Sequence, residues 1–442
     1  RERAFRAWVA RGANDGETDN REIAAETLAL RAERAKLLGY ETFADYKLET
    51  QMAKTPDAVR GLLMEVWPRA RAQAEADAGE LEKRLHADGI NGALEPWDWR
   101  YYSAIRQREE HDLDEAEIKA HLSLDSMIDA AFDVAGRLFE LEFVPLDVPL
   151  YHPDARAWEV RRGEQHMGVF IGDWFARSSK RSGAWCSSFR SQSKMDGEER
   201  PIAVNVCNFA KAPAGHPSLL TFDDAATLFH EMGHALHVLM SDVTYGFISG
   251  TSVARDFVEL PSQLYEHWLE VPEVLEKHAR HAKTGAPMPH DLVERLIAAR
   301  NHDQGFTTVE YVASALVDLD LHAGEPPADP MAAQGESLAR LGMPHAIVMR
   351  HAVPHFQHVF SGDGYSAGYY SYMWSEVMDA DAFAAFRETG DVFDPGVAAR
   401  LAEHVLSAGG SREAAELYTA FRGRMPGVEA LLESRGLLEP AA

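Results

Sequence analysis

Cysteine is nearly absent from this chain: Cys186 and Cys207 are the only two in 442 residues. So sparse a complement excludes a disulfide framework and suits a reducing compartment, so a cytoplasmic location is expected. Also missing is any run approaching roughly 18 consecutive apolar residues, the length that spans a bilayer, so an integral membrane protein is not expected. Positive charge is scarce, with 44 Lys and Arg against 70 Asp and Glu, a formal net charge of -26. That excess repels nucleic acid and anionic membranes and favours neutral or cationic ligands. Internal repeats and low-complexity tracts are absent as well. The opening "RERAFRAWVARG" has neither an initiator Met nor an apolar leader and reads as the inside of a charged helix, so upstream residues are expected. What is present is a 46% hydrophobic composition over a length that favours more than one lobe.

Residues 1–145 read as a helical lobe. "DNREIAAETLALRAERAKLLGY" sets Ile23, Leu28, Leu30, Ala35 and Leu38 among charges, and "TPDAVRGLLMEVWPRARAQAEADAGELEKRL" has a Thr-Pro helix start. The Pro-containing "VPLDVPLYHPD" at 144–154 marks a boundary, and 146–442 reads as a second lobe. Within it, "AWEVRRGEQHMGVFIGDWFA" predicts two strands about Arg162-Gly163, and "RPIAVNVCNFA" predicts a third, giving a small sheet over about 156–210. From Thr221 the helical pattern returns, first over about 221–270, with Gly/Pro-rich breaks near 324–330 and 361–368.

The chemistry concentrates in "TLFHEMGHALHVLM", residues 227–240. Thr221 and Asp224 form a capping box for a helix running to about 240, which places His230 and His234 on one face. An i, i+4 pair of imidazoles can converge on one ion while Glu231 turns toward a water bound to it. With 20 histidines, chance produces such a motif in roughly one chain of this size in ten, so the context must decide between a metal site and a core helix carrying histidine.

A catalytic zinc site needs a third protein ligand and an open position. Continuation of the motif with Gly and His three and six residues on is excluded, because His237 and Met240 stand there. A later carboxylate is therefore expected. "ARDFVELPSQLYEHWLE" offers Asp256, Glu259, Glu266 and His267, which spacing does not rank; Glu259 stands out because Phe257, Val258 and Leu260 surround it, and an unpaired carboxylate there would be costly. Further on, "SGDGYSAGYYSYMW" spaces Tyr365, Tyr369 and Tyr372 at i, i+4 and i+7. That is a core stripe or a functional face, and Gly364 and Gly368 point to a mobile or closely approached backbone.

"LFHEMGHALH", "SGTSVARDFVELPSQLYEHW" and "GYSAGYYSYMWSEVMDADAF" resemble the thimet oligopeptidase and peptidyl-dipeptidase family of zinc metallopeptidases. "LRAERAKLLGYETFADYKLETQMAKTP", "LEPWDWRYY", "GAWCSSFRSQ" and "RPIAVNVCNFAK" resemble its bacterial peptidyl-dipeptidase branch, so the likeness covers nearly the whole chain. The resemblance implies a mainly α, zincin-type fold: two helical lobes flanking a deep groove, with a small β-sheet next to the zinc helix, and further helices upstream of Arg1. It implies one zinc ion held by His230, His234 and Glu259, Glu231 as general base, Tyr372 as oxyanion donor with His358 accompanying it, and Tyr365, Tyr369, Gly364 and Gly368 at the substrate. His237 is expected to pack or to support the ligands, and His351 and His355 to be packing or surface residues. The implied partners are short unfolded peptides, with no nucleic acid, no membrane, and a monomeric chain.

The branch implies release of dipeptides from the C-terminus; an internally cleaving oligopeptidase is the alternative, and a non-catalytic peptide-binding protein the competing class. A peptidyl-dipeptidase must hold a free carboxylate, for which Arg177, Lys180, Arg181, Arg190 and Lys194 are candidates, unless this basic run is a solvated loop.

Overall fold

A computed structural model of the chain describes residues 1–438. They form two compact units, neither continuous in sequence: Arg1–Glu110 with Asn301–Trp374 and the described residues from Val428, and His111–Arg300 with Ser375–Gly427. The chain changes unit at 110/111, 300/301, 374/375 and 427/428, none of which lies in the 144–154 stretch. As expected, the architecture is mainly helical with one small sheet. Among the described residues no helix is long and apolar enough to cross a membrane.

The first unit is built on the Pro56–Ala87 and Gln304–His322 helices, which pack along one another. Pro56 takes the first helical position, and the Thr55 hydroxyl accepts a hydrogen bond from the Ala58 N–H, satisfying one of the donors a helix start leaves open. The crossing depends on Gly305, where a Cβ would come within 2.6 Å of the Ala74 nitrogen. In the Arg21–Leu37 helix the expected apolar set divides. Leu28 and Ala35 are buried, with Ala24 and Arg31, whereas Ile23, Leu30 and Leu38 are exposed. The 3.6-residue period explains this, since 24, 28, 31 and 35 share a face that Ile23 and Leu30 flank. The buried arginine on that face is not legible from the pattern of apolar residues.

The second unit contains a five-stranded sheet of order β1-β2-β3-β5-β4: β1 Glu142–Leu146, β2 Arg156–Arg162, β3 Gln165–Phe175, β4 Trp185–Arg190 and β5 Ile202–Phe209. All pairs are antiparallel except β3 with β5. The expected hairpin and the 202–209 strand are present. The added strands are β1, whose Pro145 disguised it, and β4, which lies inside the basic run and forms an exposed edge. One face buries Ala157, Ile171, Val204 and Val206; β3, β4 and β5 also pack against the Phe222–Leu239 helix. Phe132 of the Leu124–Phe139 helix stacks on Phe143 at 3.9 Å between centroids and meets Trp158 and Phe170 edge-on.

Candidate metal centre

The Phe222–Leu239 helix begins as its sequence predicts: the Thr221 hydroxyl accepts from the Asp224 N–H at 2.9 Å, and the Asp224 carboxylate accepts from the Thr221 N–H at 3.0 Å. His230 and His234 project from one face, ring centroids 5.0 Å apart. The next chain segment must approach that face closely, and Gly233 permits it: a Cβ there would stand 2.4 Å from the Pro261 carbonyl oxygen and 2.6 Å from the Ser262 Cα. Between the short Arg255–Val258 and Leu260–Glu266 helices this contact carries Glu259, 2% exposed, up to both imidazoles. Its Oε2 lies 3.4 Å from His230 Nε2 and 3.0 Å from His234 Nε2. Ser262 steadies the carboxylate, its hydroxyl donating to Glu259 O at 2.8 Å and to Oε2 at 3.2 Å.

The other three candidates from this segment have different places. Glu266 Oε1 accepts from His230 Nδ1 at 2.6 Å, which fixes the ring and turns Nε2 toward Glu259. His267 Nε2 pairs with Asp379 Oδ1 at 2.7 Å, and Asp256 is buried with its carbonyl accepting from the Ser375 hydroxyl. Only His230, His234 and Glu259 present ligand atoms within 4.8 Å of one another in this segment.

The donor chemistry fits a cation. With the His230 Nδ1–H given to Glu266, a neutral His230 ring sets its Nε2 lone pair against the buried Glu259 oxygen, which a proton or a metal cation between them relieves, and His234 Nε2 reaches the same oxygen. Protons serve that need when no ion does: burial pulls His230 down, yet hydrogen bonds to Glu259 and Glu266 outweigh it and leave its pKa well above the usual value. Burial would raise Glu259, but the His234 charge and hydrogen bonds from both histidines hold it well below the carboxylate range. Two nitrogens and one oxygen are a donor set suited to zinc. Glu231, between the two histidines, has a buried Oε2 with no hydrogen-bond partner among the described residues, and burial raises its pKa. His237 is fully buried and pulled down to about 3 by burial and by His234, so it is a neutral packing residue.

The tyrosines lie in the first unit. Helix starts only at Ser371, so Tyr365 and Tyr369 belong to a turn and do not share a helical face with Tyr372. The turn nevertheless brings the rings together: Tyr365 stacks on Tyr372 at 5.4 Å and 5°, and His358 stands 5.7 Å and 6.0 Å from these two. Tyr369 is placed inside this packing at 3% exposure, edge-on to Phe356, and burial pushes its phenol up to about 12. Gly364 is exposed, whereas a Cβ at Gly368 would press on the Tyr365 backbone at 3.3 Å. His351 stacks on Phe356, and the ring Nδ1 of His355 meets the Arg11 carbonyl at 3.1 Å.

The basic run is largely engaged by partners within the chain. Arg177 forms a bidentate pair with Asp173 at 2.7 and 2.6 Å, Lys180 reaches Asp173 at 2.9 Å and three carbonyls, and Lys194 pairs with Asp242 at 2.6 Å. Arg190 donates to the Arg200 carbonyl, and Arg181 lies over the Trp185 ring at 4.6 Å.

Fold and site together define a mainly helical protein with a His-His-Glu cluster that could hold a metal ion. Peptidase family M3 matches residues 1–437, and the chain belongs to that family. It is 37% identical over 449 residues to the dipeptidyl carboxypeptidase of Escherichia coli (strain K12), covering 99% of this chain and 65% of that protein. Oligopeptidase A of the same organism is 36% identical over 450 residues, covering 99% of this chain and 66% of its own length. The chain therefore spans just under two thirds of these curated relatives. Among solved structures, the M32 carboxypeptidase from Deinococcus radiodurans R1 is similar at a TM-score of 0.56 and 15% identity, covering 98% of this chain and 78% of that one; a likeness at this identity is one of fold.

Proposed function

We propose that this protein is a zinc-dependent peptidase of the reducing cytoplasm that acts as a monomer on short peptides and releases dipeptides from their C-termini. The convergence of His230, His234 and Glu259 donor atoms on one point carries this reading. These residues would hold one zinc ion, which when bound lowers the pKa of a coordinated water toward about 7 and polarises a carbonyl. Glu231 would take the water proton on its unpartnered Oε2 and return it to the departing amine. Glu266 would keep the His230 ring oriented. Tyr372 as oxyanion donor, and His358 and Tyr365 beside the peptide, follow the family pattern; Gly368 gives the turn its close backbone, exposed Gly364 would lie beside the peptide, and we assign Tyr369 to support these rings.

The oligopeptidase reading has its own support, because the likeness to oligopeptidase A is nearly as high and three of the five candidate carboxylate anchors are already paired with aspartates. Two quenched-fluorescence peptides, alike except for a free or amidated C-terminus, separate the two. Hydrolysis abolished by chelation and restored by zinc is expected with both activities, and a much slower cut of the amidated peptide only with the dipeptidase. Equal rates assign the oligopeptidase, and peptide binding without hydrolysis in zinc-loaded protein sinks both.

A further inference from the structure

In the Gln304–His322 helix, polar residues recur every fourth position: Glu310, Ser314, Asp318 and His322. Four-residue spacing sets them along one face, and all four are buried, so each must be satisfied. The Glu310 carboxylate pairs with Arg100 at 3.2 Å, and the Ser314 hydroxyl accepts from the His351 N–H at 3.3 Å. Most specific is Asp318. Its Oδ1 accepts from the Ala367 N–H and its Oδ2 from the Tyr369 N–H, each at 3.0 Å, so one carboxylate holds the N–H groups of both residues that flank Gly368.

Two further observations show that this contact is built. Ala367 has φ +53°, the left-handed region that a side chain with a Cβ rarely adopts, so the segment is held against its local preference. Behind Asp318, His322 Nδ1 lies 2.8 Å from the Asp318 carbonyl and 3.1 Å from Oδ1, while Arg31 Nη1 meets His322 Nε2 at 3.1 Å. An arginine only donates, so Nε2 accepts and the ring proton sits on Nδ1, directed at Asp318. Arg31 also donates to the carbonyls of Val359 at 2.7 Å and Gly362 at 3.0 Å. One buried chain, Arg31–His322–Asp318, thus fastens both ends of 359–369, and the Ser366 hydroxyl closes it by donating to the Val359 carbonyl at 3.1 Å.

We propose that Asp318, oriented by His322 and Arg31, is a positioning residue that holds the 365–369 turn in the conformation that stacks Tyr365 on Tyr372. The proposal rests on the assignment of those tyrosines to peptide hydrolysis. It requires a carboxylate because two N–H groups need two acceptor oxygens on one planar group; asparagine offers one acceptor and turns an NH2 against the other N–H.

The test uses the full chain loaded with zinc, comparing wild type with Asp318→Asn for kcat, KM, bound zinc, and amide hydrogen exchange across 359–372. The expected signature is unchanged zinc content, little change in KM, kcat lower by about ten- to a hundredfold, as for a catalytic group displaced by up to an ångström, and faster exchange at Ala367 and Tyr369. Adding Ala367→Gly to Asp318→Asn should recover part of kcat and slow exchange at Ala367 and Tyr369, because glycine takes the left-handed conformation without strain. Should Asp318→Asn fail to fold, His322→Phe, which removes the donor behind Asp318 and the acceptor of Arg31 but leaves the carboxylate, should give the same signature at smaller amplitude, and His322→Gln, able to donate and accept, should restore it. Wild-type kcat, a kcat loss without faster exchange at the two amides, or no recovery in the rescue variants overturns the proposal. If wild type itself lacks zinc-dependent hydrolysis, the peptidase reading fails, and the exchange rates alone then decide whether Asp318 holds the turn.

Discussion

The metal segment and the tyrosine segment are both short stretches carrying proposed catalytic groups, yet they are held in place by different physics. His230, His234, Glu259 and Glu266 lie within 37 consecutive residues, and their geometry follows from one helix period, one bare glycine and one proline-started helix. The 359–369 segment is fixed instead by side chains remote in sequence, Asp318 about 50 positions away and Arg31 about 330. Local geometry is robust and written in spacing. Long-range polar fastening is conditional, since each partner must itself be buried and oriented.

Substitutions that probe the metal segment should have the largest effects. Glu231→Gln is expected to bind zinc normally and to lose peptide hydrolysis by about 10²- to 10⁴-fold, the usual worth of a positioned acid-base group. His234→Ala should lose both the ion and the activity, as measured by metal analysis of dialysed protein. Appreciable turnover by Glu231→Gln would remove that residue from the proton path and leave the two segments on a more equal footing.

A subtler change tests whether the local geometry depends on the helix contact. Gly233→Ala changes no ligand but places a methyl 2.4 Å from the Pro261 carbonyl oxygen. Relief by shifting the Glu259 segment should cost about 1–3 kcal/mol of stability and weaken zinc binding, read as the chelator concentration that strips half the metal. Unaltered zinc affinity would mean that Glu259 is placed by the Ser262 hydrogen bonds and its own helix more than by the contact at Gly233.

Much of the first segment was legible in the sequence. The capping box, the shared face of His230 and His234, and the apolar setting of Glu259 are all consequences of neighbours within a few residues, and the structure reproduces them. The role of Glu266 was open, though it stands seven residues after Glu259, two helical turns on, and so returns to the same side. Strand β4 was hidden because its exposed edge carries the charge and serine of a loop, and β1 because proline at 145 argues against a strand that lies at a sheet edge, where proline is tolerated. The i, i+4, i+7 spacing of Tyr365, Tyr369 and Tyr372 suits a helical face as well as a turn, and the hydrogen bonds to Asp318 and from Arg31 that hold the turn leave no trace in that spacing. The four-residue polar stripe Glu310, Ser314, Asp318, His322 was the one available signal for them.

The same contrast runs through the basic stretch 177–194, and here the expected effect is smallest. In sequence it is a solvated loop or an anchor for a peptide carboxylate; in the structure Arg177 and Lys180 enclose Asp173, which Tyr151 also contacts by its hydroxyl at 3.0 Å. Burial alone would raise Asp173, but hydrogen bonds from Arg177, Lys180 and Tyr151 outweigh it and hold its pKa at about 2, below the ordinary 3.8. A carboxylate depressed in the folded state binds protons more readily when unfolded, so its contribution is complete above about pH 4 and is lost as pH falls toward 2. The shift corresponds to about 2 kcal/mol. Urea midpoints followed by tryptophan fluorescence should therefore show wild type losing its advantage over Asp173→Asn across that interval, with the two curves converging at the acid end. Parallel curves from pH 5 to 2 would show that Asp173 titrates alike in folded and unfolded chains, and would return Arg177 and Lys180 to the pool of cations available to a peptide carboxylate.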